Sequence, residues 1–192
     1  MDIFKAYEKQ RRYLRRFNIV MVFLALFLPG VVYYTGKTSG FFLYYLIFLE
    51  ILIFTAVFIT KDNESLEFDI VQNKIILKMG IFKKKYPIFC EKIAIVHTED
   101  ENYDLKLLVI TTQRLRNKFF KPVTKGTLKR YPILLNEFVR IKRLNPEFTY
   151  YFFMVKKGGF YKYELLQSLY KNCANTIFTD SSIVNIKKIQ YR

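Results

Sequence analysis

The chain has 192 residues, of which 52% are hydrophobic and 18% aromatic, and its 32 Lys and Arg residues outnumber its 16 Asp and Glu residues. An ordinary soluble globule rarely combines so much apolar sequence with so much positive charge, whereas a membrane protein with a basic aqueous part does. The excess of positive charge predicts an acidic partner, either nucleic acid or the anionic face of a membrane.

Residues 1–16 form a basic leader. Its cations are Lys5, Lys9, Arg11, Arg12, Arg15 and Arg16. Apolar and aromatic residues lie between these cations, which predicts a short amphipathic helix on the inner leaflet of a membrane. The alternative is a disordered basic flank that only sets membrane orientation.

Two long apolar runs, residues 17–34 and 41–60, follow the leader. Each approaches the roughly 20 residues that a helix needs to cross about 30 Å of hydrocarbon. The short "TGKTSG" between them predicts a transmembrane helical hairpin, with a kink or a loosened helix end at Pro29 and Gly30. A secretory signal peptide is the alternative, but a second run of equal strength follows at once and there is no small-residue cleavage site.

The distribution of Lys and Arg predicts the orientation of this hairpin. The leader and the sequence after residue 60 are rich in both residues, whereas the loop between the runs has only Lys37. The positive-inside rule therefore predicts a multi-pass protein of the cytoplasmic (inner) membrane with both termini in the cytoplasm.

Glu50 is the only charged residue in the second apolar run. A carboxylate is costly in hydrocarbon, so Glu50 is expected to be protonated or paired. We interpret it as an intramembrane helix-packing residue that contacts a second copy of the chain or another subunit. A transport role is the alternative, although two helices cannot enclose a pathway alone.

Residues 61–192 are predicted to form a basic α+β cytoplasmic domain. Alternating apolar residues from Leu66 to His97, with turn signals at Gln72-Asn73 and Gly80, predict short strands. A further strand is expected within 100–113. Because the connections are short, the strands are expected to form one antiparallel meander.

Helices are predicted in the second half of the domain. Pro132 and Asn145-Pro146 bound a helix at 132–144 whose inner face carries Leu134, Phe138 and Ile141. A strand, a "KKGG" turn and a helix ending near Cys173 follow. A last helix is expected to have Asp180 or Ser181 as its N-cap.

A strand–turn–strand from Asn73 to Lys85, "NKIILKMGIFKKK", and the segment "EKIAIV" from Glu91 to Val96 follow the apolar hairpin. Over about residues 18–98 the chain thereby resembles the bacterial pleckstrin-homology-like (PH-like) membrane proteins. The resemblance implies a curved antiparallel sheet closed by a C-terminal helix, and a binding or scaffolding module with no catalysis. The helix at 132–144 and the segment after residue 175 depart from that pattern.

The cysteines, the histidine and the glycines offer no catalytic constellation. Cys90 and Cys173 form no C-x-x-C pair and are interpreted as reduced, buried thiols of a cytosolic compartment. His97 is interpreted as a surface histidine at a strand end. With one histidine and no nucleotide fingerprint around Gly158-Gly159, we expect no metal, no cofactor and no enzymatic activity.

Two basic segments are the candidate binding residues. One is Lys83, Lys84 and Lys85; the other comprises Arg114, Arg116, Lys118, Lys121, Lys125, Lys129 and Arg130. Strand alternation separates Lys84 from the two flanking lysines, so this triplet is interpreted as the exposed end of a hairpin. The longer segment contains no acidic residue and is therefore the preferred contact for anionic lipid head groups, each cation contributing about 1 kcal/mol near such a surface.

Other partners for the longer segment remain open. An acidic protein surface would use the same cations. Nucleic acid is a weaker hypothesis, based on Phe119 and Phe120 as surfaces on which bases could stack. The sequence thus favours a non-enzymatic membrane protein whose domain binds the membrane surface or a membrane partner. An accessory subunit of a transport or secretion complex, or a homo-oligomer, is the alternative.

Overall fold

The computed structural model describes residues 3–36, 40–101, 104–114 and 119–190. The chain divides into two compact units, Met1–Asp62 and Asn63–Arg192. The first unit is built from two helices, α1 (Ile3–Tyr34) and α2 (Gly40–Glu64). The second unit combines strands and helices, so the chain consists of two apolar helices and an α+β domain.

Helices α1 and α2 are long and apolar enough to cross a membrane, by length and composition. No residue in the apolar window of either helix is buried, whereas a core helix of a soluble protein buries one face. The leader is helical from Ile3 and continuous with the first apolar run, so it is not a separate short helix. The helix also continues through Pro29 to Tyr34.

The second unit contains eight strands, four α-helices and one 3-10 turn (Cys90–Lys92) among the described residues. The strands are β1 (Leu66–Val71), β2 (Lys74–Met79), β3 (Lys84–Phe89), β4 (Ile93–Glu101), β5 (Asp104–Thr111), β6 (Lys121–Pro122), β7 (Tyr151–Val155) and β8 (Ile177–Phe178). The helices are α3 (Lys125–Arg130), α4 (Pro132–Leu144), α5 (Tyr161–Asn172) and α6 (Asp180–Gln190). Pro132 begins α4 and Asn145 follows its last turn, as predicted.

Strands β1, β2 and β3 form an antiparallel sheet in that order. Gln72 and Asn73 join β1 to β2 with φ of 42° and 63°, the left-handed conformation that a two-residue hairpin turn of type I′ requires. Pro87 lies within β3, which is acceptable because β3 is at the edge of this sheet.

The lysine triplet does not lie on one strand as predicted. Lys83 belongs to the turn before β3 and has a φ of 43°, so only Lys84 and Lys85 follow the strand alternation. The reason is local: the turn from Gly80 is closed by a bond from the Lys83 N–H to the Gly80 carbonyl, 2.9 Å long.

The remaining strands form a second sheet, in the order β6-β7-β5-β4-β8. The prediction of a single antiparallel meander is wrong in two respects. The strands divide into two sheets, and β8 pairs with β4 in parallel through Ile95 opposite Ile177 and Val96 opposite Phe178. The long connection that a parallel pair needs is supplied by the elements between β4 and β8.

Each face of the five-stranded sheet contributes to a separate apolar cluster. On one face, residues such as Leu107 and Phe153 join a core with the three-stranded sheet and the buried leucines of α5. On the other face, Leu108 and Ile110 pack with Leu134 of α4. Because successive residues of a strand point to opposite faces, both faces of β5 are apolar.

The cysteines are not reduced thiols as predicted. Cys90, directly after β3, and Cys173, directly after α5, are buried and joined by a disulfide with a Cα–Cα distance of 4.8 Å. Sequence spacing gave no sign of the pair because 83 residues separate its members. Packing of α5 against the sheets brings them together.

His97 is not a surface histidine, because its side chain is only 5% exposed. Residues at the start of α6 cover it, and its Nδ1 lies 3.0 Å from Thr179 Oγ1 and 3.2 Å from Ser181 Oγ. Helix α6 begins at Asp180, so Thr179 precedes its first turn. Asp180 and Ser181 therefore lie inside the helix and are not its N-cap.

Candidate functional site

A groove beside β6, α3 and β7 is the candidate functional site. Strand β6 pairs with β7 through Lys121 opposite Phe152, and α3 begins shortly after β6. Thr124 caps α3, since its Oγ1 accepts a hydrogen bond of 3.3 Å from the Thr127 N–H. The groove between these elements is open to solvent and has a volume of about 790 Å³.

The lining of the groove is partly apolar. Phe152 and Met154 come from β7 and lie on the face that packs toward α4. The residues between and after them, Phe153 and Val155, belong to the opposite core. Phe119 also lines the groove. The groove can therefore contact apolar atoms as well as charge.

Three cationic side chains, Lys121, Arg130 and Lys156, line the groove and are exposed. No acidic residue is among the described residues that line it. Within the described part of the chain, none of these three cations forms a salt bridge. By contrast, Lys78 Nζ lies 2.6 Å from a carboxylate oxygen of Asp69. The groove thus concentrates positive charge that no salt bridge among the described residues offsets.

Two hydroxyl groups add hydrogen-bonding capacity. Thr124 Oγ1 and Thr127 Oγ1 are 2.9 Å apart, and both residues line the groove. One hydroxyl proton is used in the bond between them, which leaves the second proton for another acceptor. An anion in the groove could accept it.

Tyr131 lines the groove at the junction of α3 and α4. Burial raises the pKa of its phenol, the charge of Glu99 raises it further, and Arg130 opposes the shift. The phenol is therefore protonated at neutral pH and can donate a hydrogen bond.

The predicted long basic segment reaches the groove only in part. Lys121 and Arg130 line it, whereas the exposed residues Arg114 and Lys129 do not. Lys125 begins α3, but its side chain is outside the described part of the chain, as are Arg116 and Lys118 altogether.

The lysine triplet is not part of the groove. Lys83, Lys84 and Lys85 are all exposed. Lys83 Nζ lies 2.7 Å from Glu67 Oε1, so an acidic residue of β1 already offsets one of the three charges. Lys85 is opposite Lys78 in the neighbouring strand.

Lys156 is the groove cation that sequence reasoning missed. It follows β7 directly, and pairing of β7 with β6 places it near a segment more than 25 positions earlier. In the sequence, the doublet Lys156-Lys157 precedes Gly158 and predicts a turn. Its positive charge at the end of a strand is a signal for a binding residue, but only the pairing of that strand with β6 places Lys156 in the groove.

Glu50 is half-buried, and its Oε1 has no hydrogen-bond partner within the described part of the chain. Thr55, another polar residue of α2, donates its hydroxyl hydrogen bond to the Ile51 carbonyl at 2.7 Å. A carboxyl oxygen shielded from water and without a partner is costly in an apolar setting. Glu50 is therefore suited to a contact with a group outside this chain.

A buried polar cluster connects β4 to α6. His97 contacts Thr179 and Ser181, and Ser182 Oγ donates to the Val96 carbonyl at 3.0 Å. Burial lowers the pKa of His97 below its ordinary value, so the imidazole is neutral at pH 7. The cluster holds two elements together and opens into none of the cavities described for this part of the chain.

No group of three or more His, Cys, Asp or Glu residues suited to a metal ion occurs among the described residues. Comparisons of the chain with protein-family models, with curated proteins and with solved structures found no match. The features of the chain that bear on its function are therefore the groove, the two apolar helices and the excess of positive charge.

Proposed function

We propose that this chain is a non-enzymatic, multi-pass protein of the cytoplasmic membrane whose basic domain binds the anionic membrane surface. The observation that carries the proposal is the groove, in which Lys121, Arg130 and Lys156 are exposed without an acidic lining residue among those described. Anionic head groups supply the compensating charge.

The apolar helices support a membrane location. Neither apolar window buries a residue, and exposed side chains such as Phe23, Leu26 and Phe54 are more than half accessible. In water these surfaces would be unfavourable, whereas hydrocarbon solvates them. The basic leader and the single Lys37 of the loop favour a cytoplasmic location for both termini.

The covalent connection supports contact between the domain and lipid. Only Ser65 separates the end of α2 from the start of β1. A domain that follows a spanning helix this directly in the chain is tethered to the membrane, where the negative surface potential of the inner leaflet acts on cations within about a Debye length. A membrane-bound protein partner with an acidic surface would use the same residues.

The domain is proposed to be a PH-like module that acts by binding. The antiparallel meander β1-β2-β3 and the packing of α5 against the sheets are compatible with that architecture. The insertion of α3 and α4 between β6 and β7 is a departure from it.

The test uses the full chain in lipid nanodiscs made of zwitterionic lipid or of a zwitterionic and anionic mixture. Hydrogen exchange of residues 119–131 and 151–156 is measured by mass spectrometry. The proposal predicts slower exchange with anionic lipid, and loss of this protection as salt is raised. Equal exchange in both lipids at low salt would contradict it.

Glu50 favours a second candidate function, that of an accessory subunit in a transport or secretion complex or in a homo-oligomer. Its unpartnered Oε1 would be satisfied by a polar group of another helix. Glu50→Leu should then weaken an assembly isolated in mild detergent, whereas the control Glu50→Gln, which can still form hydrogen bonds, should retain more of it. An unchanged assembly in both variants would exclude this function for Glu50.

A further inference from the structure

We infer that the groove is a discrete site for one phosphomonoester lipid head group, with its glycerol and upper acyl carbons on the apolar lining. The inference rests on the proposed function and narrows it from a charged surface to a defined ligand. The elements that form the groove include α3, which lies in the insertion between β6 and β7. The site is therefore not one that the resemblance to PH-like proteins supplies.

The positive charge of the groove favours a ligand that carries more than one negative charge. A phosphodiester carries one negative charge, whereas a phosphomonoester carries about 1.5 to 2 at neutral pH. The groove has three cations, Lys121, Arg130 and Lys156, and the described lining residues include no acid. Their positive charge is larger than the single negative charge of a phosphodiester. The planar guanidinium of Arg130 suits two phosphate oxygens at once.

The hydroxyl groups favour a ligand rich in acceptors. The pair Thr124 and Thr127 has one proton not used between them, and the protonated phenol of Tyr131 has another. A phosphomonoester has three terminal oxygens that can accept such bonds while the cations bind the same group.

The apolar lining indicates that the phosphate is attached to an apolar body. Phe119, Phe152 and Met154 line the same cavity as the cations. Free inorganic phosphate would leave these side chains in water, whereas a lipid would cover them and gain about 25 cal/mol for each Å² removed from water. The volume, about 790 Å³, is larger than a phosphate alone requires. These features favour a lipid over a free phosphate.

The test is a lipid titration of the full chain in detergent, followed by native mass spectrometry. The two probes are phosphatidic acid, a phosphomonoester, and phosphatidylglycerol, a phosphodiester, with identical acyl chains. Phosphatidic acid should bind about fivefold more tightly, on the scale of about 1 kcal/mol for each charge near a basic surface.

The groove variant Lys121→Gln, Arg130→Gln, Lys156→Gln should lose this preference and weaken phosphatidic acid binding by about a hundredfold. The control variant Arg143→Gln, Lys171→Gln, Lys187→Gln removes the same charge from exposed residues outside the groove and should retain the preference. Circular dichroism of both variants checks that the fold is unchanged.

Equal binding of the two lipids to the unmodified chain would overturn the inference but leave the proposed membrane-surface function, which the nanodisc experiment tests separately. A preference that persists in the groove variant would also overturn it, because the lipid would then bind elsewhere. Displacement of phosphatidic acid by inorganic phosphate at equal concentration would contradict the role of the apolar lining. Displacement by a single-stranded oligonucleotide, with no preference between the lipids, would indicate a nucleic-acid site instead.

Discussion

Cys90 and Cys173 are joined by a disulfide that connects the end of β3 to the end of α5, across 83 residues of sequence. Both cysteines are buried in the core shared by the two sheets and α5. The bond therefore fixes the helix to the three-stranded sheet. Since closing a loop of this length removes conformational entropy from the unfolded chain, the bond is expected to contribute to stability.

Reduction of this disulfide should lower the stability of the domain. Loop-closure entropy predicts a loss of about 4–5 kcal/mol, although strain and residual structure reduce such values in practice. Thermal unfolding of the full chain in detergent, with and without a phosphine reductant, measures the effect. Cys90→Ala with Cys173→Ala is the matched control, because reductant should not shift its unfolding temperature.

The same bond tests the proposed orientation. Stable disulfides are typical of oxidising compartments, whereas cytosolic thiols are kept reduced. If the domain is cytoplasmic, the bond that joins Cys90 to Cys173 in the structure should be kept reduced inside cells. Both thiols should then be alkylated when cells are first quenched in acid and the denatured protein is afterwards treated with a thiol reagent. Recovery of the intact disulfide from cells would contradict the cytoplasmic orientation.

His97 should make the stability of the domain depend on pH below about 6.5. Burial lowers the pKa of His97 in the folded protein, so the unfolded chain takes up a proton at a higher pH than the folded one. The contribution of His97 to the free energy of unfolding is therefore fully present above the pKa of the unfolded chain, about 6.5. It is lost as the pH falls toward the lower pKa of the folded protein, by at most about 1.4 kcal/mol per pH unit.

The chain has one histidine, so His97→Gln removes the only imidazole. Gln can still form a hydrogen bond with Thr179 but does not titrate. Chemical unfolding between pH 5 and pH 8 should show a smaller pH dependence in this variant. Identical profiles for the variant and the unmodified chain would exclude His97 as the source.

Gly158→Ala should destabilise the domain by at least about 2 kcal/mol. Gly158 has a φ of +107°, and an added Cβ would collide with the Leu66 side chain. Its N–H also donates a 2.8 Å bond to the Asn63 carbonyl, so the backbone cannot easily move. Gly126→Ala is the control, since it adds a Cβ to a helix where the nearest atom is 4.0 Å away. It should leave stability unchanged or raise it.

Gln72→Asn should stabilise the β1–β2 hairpin by about 0.5 kcal/mol, because Asn adopts the left-handed conformation more readily than Gln. Asn73→Gln should have the opposite effect. It places an unfavourable residue at a φ of 63° and removes the 3.2 Å bond from Asn73 Nδ2 to Glu91 Oε1. The midpoint of urea unfolding should be highest for Gln72→Asn, intermediate for the unmodified chain and lowest for Asn73→Gln. Equal midpoints for the two variants would contradict this account.

The sequence predicted the local elements well where periodicity and turn residues coincide. The hairpin around Gln72-Asn73 and the helix that begins at Pro132 carry their signals within a few residues. The apolar runs predicted two helices for the same reason. That prediction depends on the length and apolar composition of each run and requires no distant contact.

Long-range contacts were not predictable in this way. The position of His97 at a predicted strand end indicated a surface residue, but residues at the start of α6, more than 80 positions later, bury it. Strand β8 has two residues, too few to show periodicity, so its parallel pairing with β4 gave no signal. For the groove, Lys121 and Arg130 were predicted as binding residues, whereas Lys156 required knowledge that β7 pairs with β6.

The pairing of β4 with β8 and α6 also determines when this domain can be completed during synthesis. The Val96 carbonyl accepts hydrogen bonds from the Thr179 N–H and from the Ser182 hydroxyl, which lies 86 residues later in the chain. At a translation rate of about 5 to 20 residues per second, one edge of β4 stays open for roughly 4 to 17 s. An apolar strand with an open edge can pair with a neighbouring nascent chain.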